Sequence, residues 1–181
     1  MKYFKKITGE RVYLSPMNID DIEIYTGWLN APCVMENIGG THYNNTVVAC
    51  KDWYESKLKD DKAPLFAIVK ADDNQPIGSI EFLELESTHR TATLCIFIGD
   101  ESNCGKGLGS EALRLALRYA FDVLNLNNID LKVYSFNQRA VKAYTKAGFK
   151  EYGRRCQAYY LNGSYHDVIY MEILRKDYYS L

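Results

Sequence analysis

Several features that mark other classes of protein are missing from this sequence. No apolar run approaches the roughly 20 residues that a helix needs to span a bilayer. Residues 1–6 lead into mixed polar sequence, where a signal peptide would have an apolar segment. Lys and Arg number 22 against 23 Asp and Glu, so the chain lacks the basic excess that is typical of nucleic-acid-binding proteins. We therefore expect no membrane segment and no nucleic-acid partner.

Cysteine and histidine are too few and too scattered to indicate a disulfide or metal framework. No Cys-x-x-Cys motif occurs, and the three histidines lie far apart in the sequence. The five cysteines are Cys33, Cys50, Cys95, Cys104 and Cys156. An odd, dispersed set is typical of reduced thiols, so we expect no disulfides, no metal site and a cytoplasmic location.

What is present is a chain of ordinary globular composition. Its 181 residues, 47% of them hydrophobic, suit a single domain over residues 1–181, and no repeat, linker or low-complexity stretch divides them. The apolar periodicities predict an α+β fold with a mostly antiparallel sheet and helices on its faces. The predicted strands are 11–14, 65–69, 77–85, 91–98, 129–134, 158–161 and 168–171, and the predicted helices are 22–29, 47–58, 110–124 and 138–147.

Local signals add detail to this outline. Ala31-Pro32 is expected to end the first helix, because the residue before a proline avoids helical backbone angles. The alternation in 77–85 predicts a strand with one wet face, whereas the end of 91–98 is apolar on both faces and predicts a buried central strand. Asn162-Gly163 favours a hairpin turn between the last two strands.

The segment Cys104-Gly105-Lys106-Gly107-Leu108-Gly109-Ser110 joins a buried strand to an amphipathic helix. Its alternate glycines let the backbone turn sharply and leave the N–H groups uncovered. The first turn of the helix adds free N–H donors and the positive end of the helix dipole. The loop is therefore predicted to hold a phosphate or pyrophosphate.

Two common nucleotide motifs do not fit this loop. A Walker A loop needs four residues between its first glycine and the Gly-Lys pair, but five separate Gly99 from Gly105, and Gly107 follows the lysine. A dinucleotide fingerprint would have glycine where the chain has Ser110, and an acid at the end of the next strand, which instead ends Tyr134-Ser135-Phe136.

The loop and three later segments together resemble the GCN5-related N-acetyltransferase (GNAT) superfamily. The likeness is strongest to the branch that contains ribosomal-protein N-terminal acetyltransferases and spermidine N-acetyltransferase, and it runs from about Arg11 to the C-terminus. The segments that carry it are Gly105-Lys106-Gly107-Leu108-Gly109-Ser110-Glu111-Ala112, Asn137, Ala143-Tyr144-Thr145-Lys146-Ala147-Gly148-Phe149 and Tyr160-Leu161-Asn162-Gly163-Ser164-Tyr165-His166-Asp167.

The resemblance implies a fold and a cosubstrate. It implies a GNAT-type domain with a mixed, mostly antiparallel twisted sheet and helices on both faces. Acetyl-CoA would lie where two parallel strands splay apart, here those that end at Ile98 and Tyr134. The family's loop pattern, Gln/Arg-x-x-Gly-x-Gly/Ala, falls on residues 104–109, with Cys104 in place of the usual Arg or Gln. The residues that the resemblance places on the cosubstrate are Ile96, Phe97, Ile98, Cys104, Gly105, Lys106, Gly107, Leu108, Gly109, Ser110 and Asn137.

The implied reaction is direct attack of a primary amine on the thioester of acetyl-CoA. Tyr144 is the candidate general acid that protonates the departing thiolate. Relatives often carry a Glu base on the strand before the loop, but the aligned residue here is Thr93, so the base stays open between Glu81, Glu84, Glu36 and water. The amine would belong to a small molecule or a protein N-terminus. Two alternatives stay open, namely a non-catalytic acyl-CoA-binding module and, more specifically, a polyamine acetyltransferase. A homodimer is a further expectation.

Overall fold

The computed structural model describes residues 2–59 and 64–180, and its strands form one eight-stranded sheet. The strands are β1 (Ile7–Thr8), β2 (Val12–Pro16), β3 (Leu65–Lys70), β4 (Pro76–Glu86), β5 (Thr91–Ile98), β6 (Asn128–Tyr134), β7 (Lys150–Leu161) and β8 (Ser164–Leu174). The α-helices are α1 (Ile22–Trp28), α2 (Pro32–Ile38), α3 (Val47–Lys59), α4 (Leu108–Arg118), α5 (Gln138–Lys146) and α6 (Arg175–Tyr178). In the described ranges, no helix is both long and apolar enough to cross a membrane.

The strand order across the sheet is β1-β2-β3-β4-β5-β6-β8-β7, and neighbouring strands are antiparallel except for β5 and β6. These two run parallel and pair at only three positions, from Thr91 opposite Asn128 to Thr93 opposite Asp130. Beyond this point the strands separate toward Ile98 and Tyr134. The α+β class, the mostly antiparallel sheet and the splayed parallel pair are confirmed.

Apolar clusters cover both faces of the sheet. On one face, α4 presents Leu113 and Leu117 at helical spacing, and both are almost completely buried against the sheet. On the other face, Tyr25, Trp28 and Tyr54 of α1 and α3 pack in a second cluster. The prediction of helices on both faces is therefore confirmed.

The first helix ends at Trp28, before Ala31-Pro32 as predicted, but Pro32 also begins a helix that was not predicted. It occupies the first turn of α2, where the missing proline N–H has no helical partner to lose. Gly39 then ends α2 in the left-handed conformation, with φ +82°. Further along, α4 begins at Leu108 rather than Ser110, because Gly107 (φ +79°) already turns the chain into the helix.

The strand predictions needed smaller corrections. Residues 77–82 are buried on both faces, so β4 has no wet face until Leu83. The end of β5 is only half-buried, because it borders an open cleft rather than a paired strand. The hairpin at Asn162-Gly163 is confirmed, with both residues at positive φ, although β7 and β8 are longer than predicted. The short β1 and α6 were missed.

Candidate active site

A cleft of about 440 Å³ opens where β5 and β6 separate, a volume ordinary for a small-molecule site. Its walls are the end of β5, the glycine-rich loop, α5 and the inner side of α2. Ten of the twelve predicted site residues line it, namely Ile96, Phe97, Ile98, Cys104, Gly105, Gly107, Gly109, Ser110, Asn137 and Tyr144. The fold thus brings together residues that span nearly fifty positions of sequence.

The other two predicted residues, Lys106 and Leu108, do not line the cleft. The Leu108 side chain is buried in the core beneath α4. The Lys106 carbonyl accepts a hydrogen bond from Arg11 Nη1 at 2.8 Å, so its backbone helps to fix the loop. Any contact of these two residues with a cosubstrate remains a prediction.

The glycine-rich loop presents free backbone donors to the cleft. The first hydrogen bond within α4 runs from Glu111 N to Gly107 O, so the N–H groups of residues 108–110 have no acceptor in their own helix. A side chain at Gly105, where φ is +72°, would meet no atom within 4 Å, which leaves open space above the backbone. Free donors, the helix dipole and this open space fit the pyrophosphate of acetyl-CoA.

Positive side chains complete the phosphate-binding character of the cleft. Arg139, Lys142 and Lys146 project from α5 and line it, and Lys132 lines it from β6. None of the four was predicted from the sequence, because isolated Lys and Arg residues are typical of any solvent-exposed face. Because they line the same cleft as the glycine-rich loop, they are candidates for binding phosphate groups.

The loop is held to the sheet by a buried carboxylate. Glu111 of α4 accepts hydrogen bonds from Arg11 N at 2.8 Å and from Arg11 Nε at 3.0 Å, and Val12 N lies 3.3 Å from the same carboxylate. Because Arg11 also binds the Lys106 carbonyl, it joins β2, the loop and α4. Burial alone would raise the pKa of Glu111, but the hydrogen bonds from Arg11 and Val12 outweigh it and lower the pKa.

We expect Glu111→Gln to lower the free energy of unfolding by about 2 kcal/mol at neutral pH, since charged hydrogen bonds to a buried acceptor are lost. A carboxyl with a lowered folded-state pKa stabilises the fold above its unfolded pKa of about 4.3 and stops doing so as the pH falls through the folded value. Urea unfolding of both proteins at neutral and acidic pH measures this. A difference that stays the same in acid would contradict the role of the charge.

Tyr144 projects from α5 into the cleft. Asn137 caps this helix, its Oδ1 accepting from Ala140 N at 3.1 Å. The Tyr144 ring lies against Phe149, with centroids 5.8 Å apart. Burial, and secondarily the nearby Cys95 thiol, raise the pKa of Tyr144, so its phenol carries a proton at neutral pH. The hydroxyl is therefore in the state that a general acid requires.

The opposite wall of the cleft comes from α2, the helix that the sequence reading missed. It contributes Cys33, Val34, Asn37 and Ile38 to the lining. At its end, Gly39 approaches Tyr134 so closely that an added Cβ would lie 2.0 Å from the tyrosine hydroxyl. Tyr134 in turn stacks on Tyr159, with ring centroids 4.0 Å apart. The sequence features from which α2 could have been predicted are Pro32 at its start and Gly39 at its end.

The three candidate bases lie in different surroundings. Glu81 is buried, and Lys57 Nζ lies 2.7 Å from its Oε1. Glu36 sits on α2, where its carbonyl accepts from the Tyr159 hydroxyl at 3.1 Å. Glu84 is exposed and lines a second cavity beside the cleft. None of the three lines the main cleft.

A family comparison agrees with this geometry. A sequence model of the acetyltransferase (GNAT) domain matches residues 11–150, which include β2 through α5 and the whole glycine-rich loop. The chain belongs to the GNAT acetyltransferase family. It is an acetyl-CoA-dependent N-acetyltransferase, and its relatives among known proteins are enzymes of that kind.

Individual relatives indicate which members of the family this acetyltransferase is similar to. It is 35% identical to spermidine N(1)-acetyltransferase of Vibrio cholerae over 71% of this chain and 73% of the relative. It is 31% identical to the Escherichia coli enzyme of the same name over 94% and 90% of the two chains. A crystal structure of the V. cholerae enzyme in complex with CoA and spermine superposes with a TM-score of 0.86 at 28% identity, covering 94% and 99%.

Proposed function

We propose that the acetyltransferase acetylates a primary amine of a polyamine such as spermidine. The observation that carries this proposal is the likeness to spermidine N(1)-acetyltransferases. The match to the E. coli enzyme covers 94% of this chain. The match to a structure whose complex holds both CoA and spermine supports it independently. Because the relatives are enzymes, we set aside the alternative of a non-catalytic acyl-CoA-binding module.

The acceptor side of the molecule suits a flexible cation. A second cavity, of about 320 Å³, adjoins the cleft at Thr93, and its lining contains three carboxylates and no Lys or Arg. Aromatic rings at Tyr134, Phe136 and Tyr159 form a stack next to α2. Carboxylates and aromatic faces both attract ammonium groups.

The catalytic roles follow from the positions of the chain's own groups. When bound, acetyl-CoA supplies an activated acetyl thioester. The free N–H groups of the loop would hold its pyrophosphate. The backbone of Ile96–Ile98, which pairs with β4 but not with β6, would bind its pantetheine arm and thioester oxygen. Tyr144 gives its proton to the departing sulfur. Proton transfer from a phenol of pKa 10 or more to a thiolate near 8.5 is uphill by at least about 2 kcal/mol, so positioning by α5 must lower the barrier.

The experiment is an acceptor panel with purified protein, acetyl-CoA and a thiol-release assay. We expect kcat/KM for spermidine or spermine to exceed that for peptides with free N-termini and for aminoglycosides by at least about tenfold. Omission of the amine gives the background hydrolysis rate. Faster turnover of a peptide N-terminus would contradict the polyamine assignment and favour the protein-acetylating alternative.

The remaining expectations belong to the same proposal. A domain over residues 1–181 is supported by β7 and β8, which complete the sheet beyond the part matched by the family model. The five cysteines are free thiols, which suits the reducing cytoplasm. A homodimer stays a prediction, and light scattering on the purified protein measures it.

A further inference from the structure

The point where β5 and β6 separate also places a carboxylate, Asp130, beside Thr93. Thr93 and Asp130 form the last of the three parallel pairs, so their side chains lie side by side on one face of the sheet. Thr93 Oγ1 donates to Asp130 Oδ1 at 2.6 Å. Thr93 lines both the main cleft and the second cavity, whereas Asp130 lines the second cavity.

Asp130 is fixed from two sides. Besides the bond from Thr93, Tyr152 of β7 donates its hydroxyl to Asp130 Oδ2 at 3.1 Å. Partial burial, followed by this hydrogen bond and the charge of Asp130, raises the pKa of Tyr152 to about 12. The phenol therefore remains a donor, and both oxygens of Asp130 are held in place at the boundary between the two cavities.

We propose that Asp130 acts as the general base toward the acceptor amine. The acceptor ammonium enters through the second cavity and gives one proton to Asp130, which becomes a neutral carboxylic acid. The neutral amine then forms the C–N bond in the main cleft as the C–S bond breaks, and the departing thiolate takes the Tyr144 proton. The nitrogen loses its second proton to restore the Tyr144 phenol, and Asp130 returns its own proton to water through the open side of the second cavity.

The other charged groups around this point are placed less well for the task. Glu84 is exposed, in a bulge of β4. Glu172 of β8, opposite Asp130, accepts from Asn128 Nδ2 at 2.8 Å. Lys132, two residues along β6 on the same face, lines the main cleft and not the second cavity, whose lining contains no Lys or Arg.

The test compares two acceptors that differ in protonation. One is the best amine that the wild-type enzyme accepts, and the other is its fluorinated analogue, whose amine is largely unprotonated at the assay pH and needs no base. We expect Asp130→Asn to lower kcat/KM for the first by about 10²-fold, a typical contribution of general-base catalysis, and for the second by less than about threefold. Acetyl-CoA affinity should not change.

Moving the carboxylate to the neighbouring strand gives a second, independent test of the role of Asp130. The double variant Thr93→Glu/Asp130→Asn moves the carboxylate to β5, and we expect it to recover at least about tenfold of the lost rate. Asp130→Ser serves as a second neutral variant if Asp130→Asn melts at too low a temperature for assay. Glu84→Gln and Glu172→Gln remove neighbouring negative charges and should raise KM for the protonated amine with kcat unchanged, whereas Asp130→Asn should lower kcat itself.

Three results would overturn the assignment. The first is an Asp130→Asn rate within about threefold of wild type for the protonated amine. The second is an equal loss for both acceptors. The third is a loss of kcat in Glu84→Gln, rather than in Asp130→Asn, that is selective for the protonated amine. The inference rests on the proposed function only for its cationic acceptor. If the best amine in the panel were not a polyamine, the polyamine assignment would fail while the comparison at Asp130 would still be decisive.

Discussion

Replacing Tyr144 by Phe is expected to lower kcat by a factor on the order of 10² while leaving acetyl-CoA affinity and melting temperature nearly unchanged. The substitution removes one hydroxyl and keeps the ring against Phe149, so packing on α5 is preserved. What is lost is the proton that the departing thiolate requires. Steady-state kinetics on the preferred amine, with CoA binding followed by thermal shift, measure both parts of the expectation.

A matched control is Tyr165→Phe, because Tyr165 is 64% exposed at the hairpin of β7 and β8 and lies outside the cleft. It should retain full activity. If Tyr144→Phe kept kcat within about twofold of wild type, the proton would come from water or another group and Tyr144 would be a packing residue.

Gly107→Glu is expected to abolish binding of CoA and acetyl-CoA, so that millimolar CoA no longer raises the melting temperature. Gly107 has φ +79°, which strains any residue with a side chain, and an added Cβ would lie 3.1 Å from Arg11 Nη2. The new carboxylate would also compete for the guanidinium that holds the loop. The substitution thus puts negative charge and backbone strain where the pyrophosphate should bind.

Gly163→Glu is a control that separates the general effects of backbone strain and added charge from their effect at the glycine-rich loop. Gly163 has φ +83° at a hairpin tip with open space around it, so the same change adds similar strain and charge far from the loop. This variant should lose some stability but bind CoA as wild type does. Unchanged CoA affinity in Gly107→Glu, or an equal loss in both variants, would count against the loop as the phosphate site.

The parts of the site that sequence predicted are those with a local signal. Glycines at 105, 107 and 109 before an amphipathic helix indicate a phosphate loop by themselves, and Asn137 indicates a helix start. By contrast, no element was predicted over α2, because its six-residue run after Pro32 is too short and too polar to show a periodicity. The wall of the cleft that α2 forms next to Tyr134 was therefore not predicted.

Other features depend on register, which the sequence does not encode locally. Thr93 and Asp130 are 37 positions apart, and only the three-residue pairing of β5 with β6 sets them side by side. A shift of one residue would turn Asp130 to the opposite face. The candidate bases predicted from the sequence, Glu81, Glu84, Glu36 or water, therefore did not include Asp130, whose carboxylate accepts from Thr93.

The brief pairing of β5 and β6 also ties the stability of the protein to its cosubstrate supply. In the described part of the sheet, the stretches beyond Thr93 and Asp130 face each other without pairing, which gives the sheet two internal edges in addition to those at β1 and β7. Open edges favour misassociation, and a pantetheine arm bound between the two strands would cover these two. Ligand at a hundred times its Kd adds about 2.7 kcal/mol to the free energy of unfolding. The lifetime of the folded enzyme in a cell should therefore rise and fall with the free CoA pool.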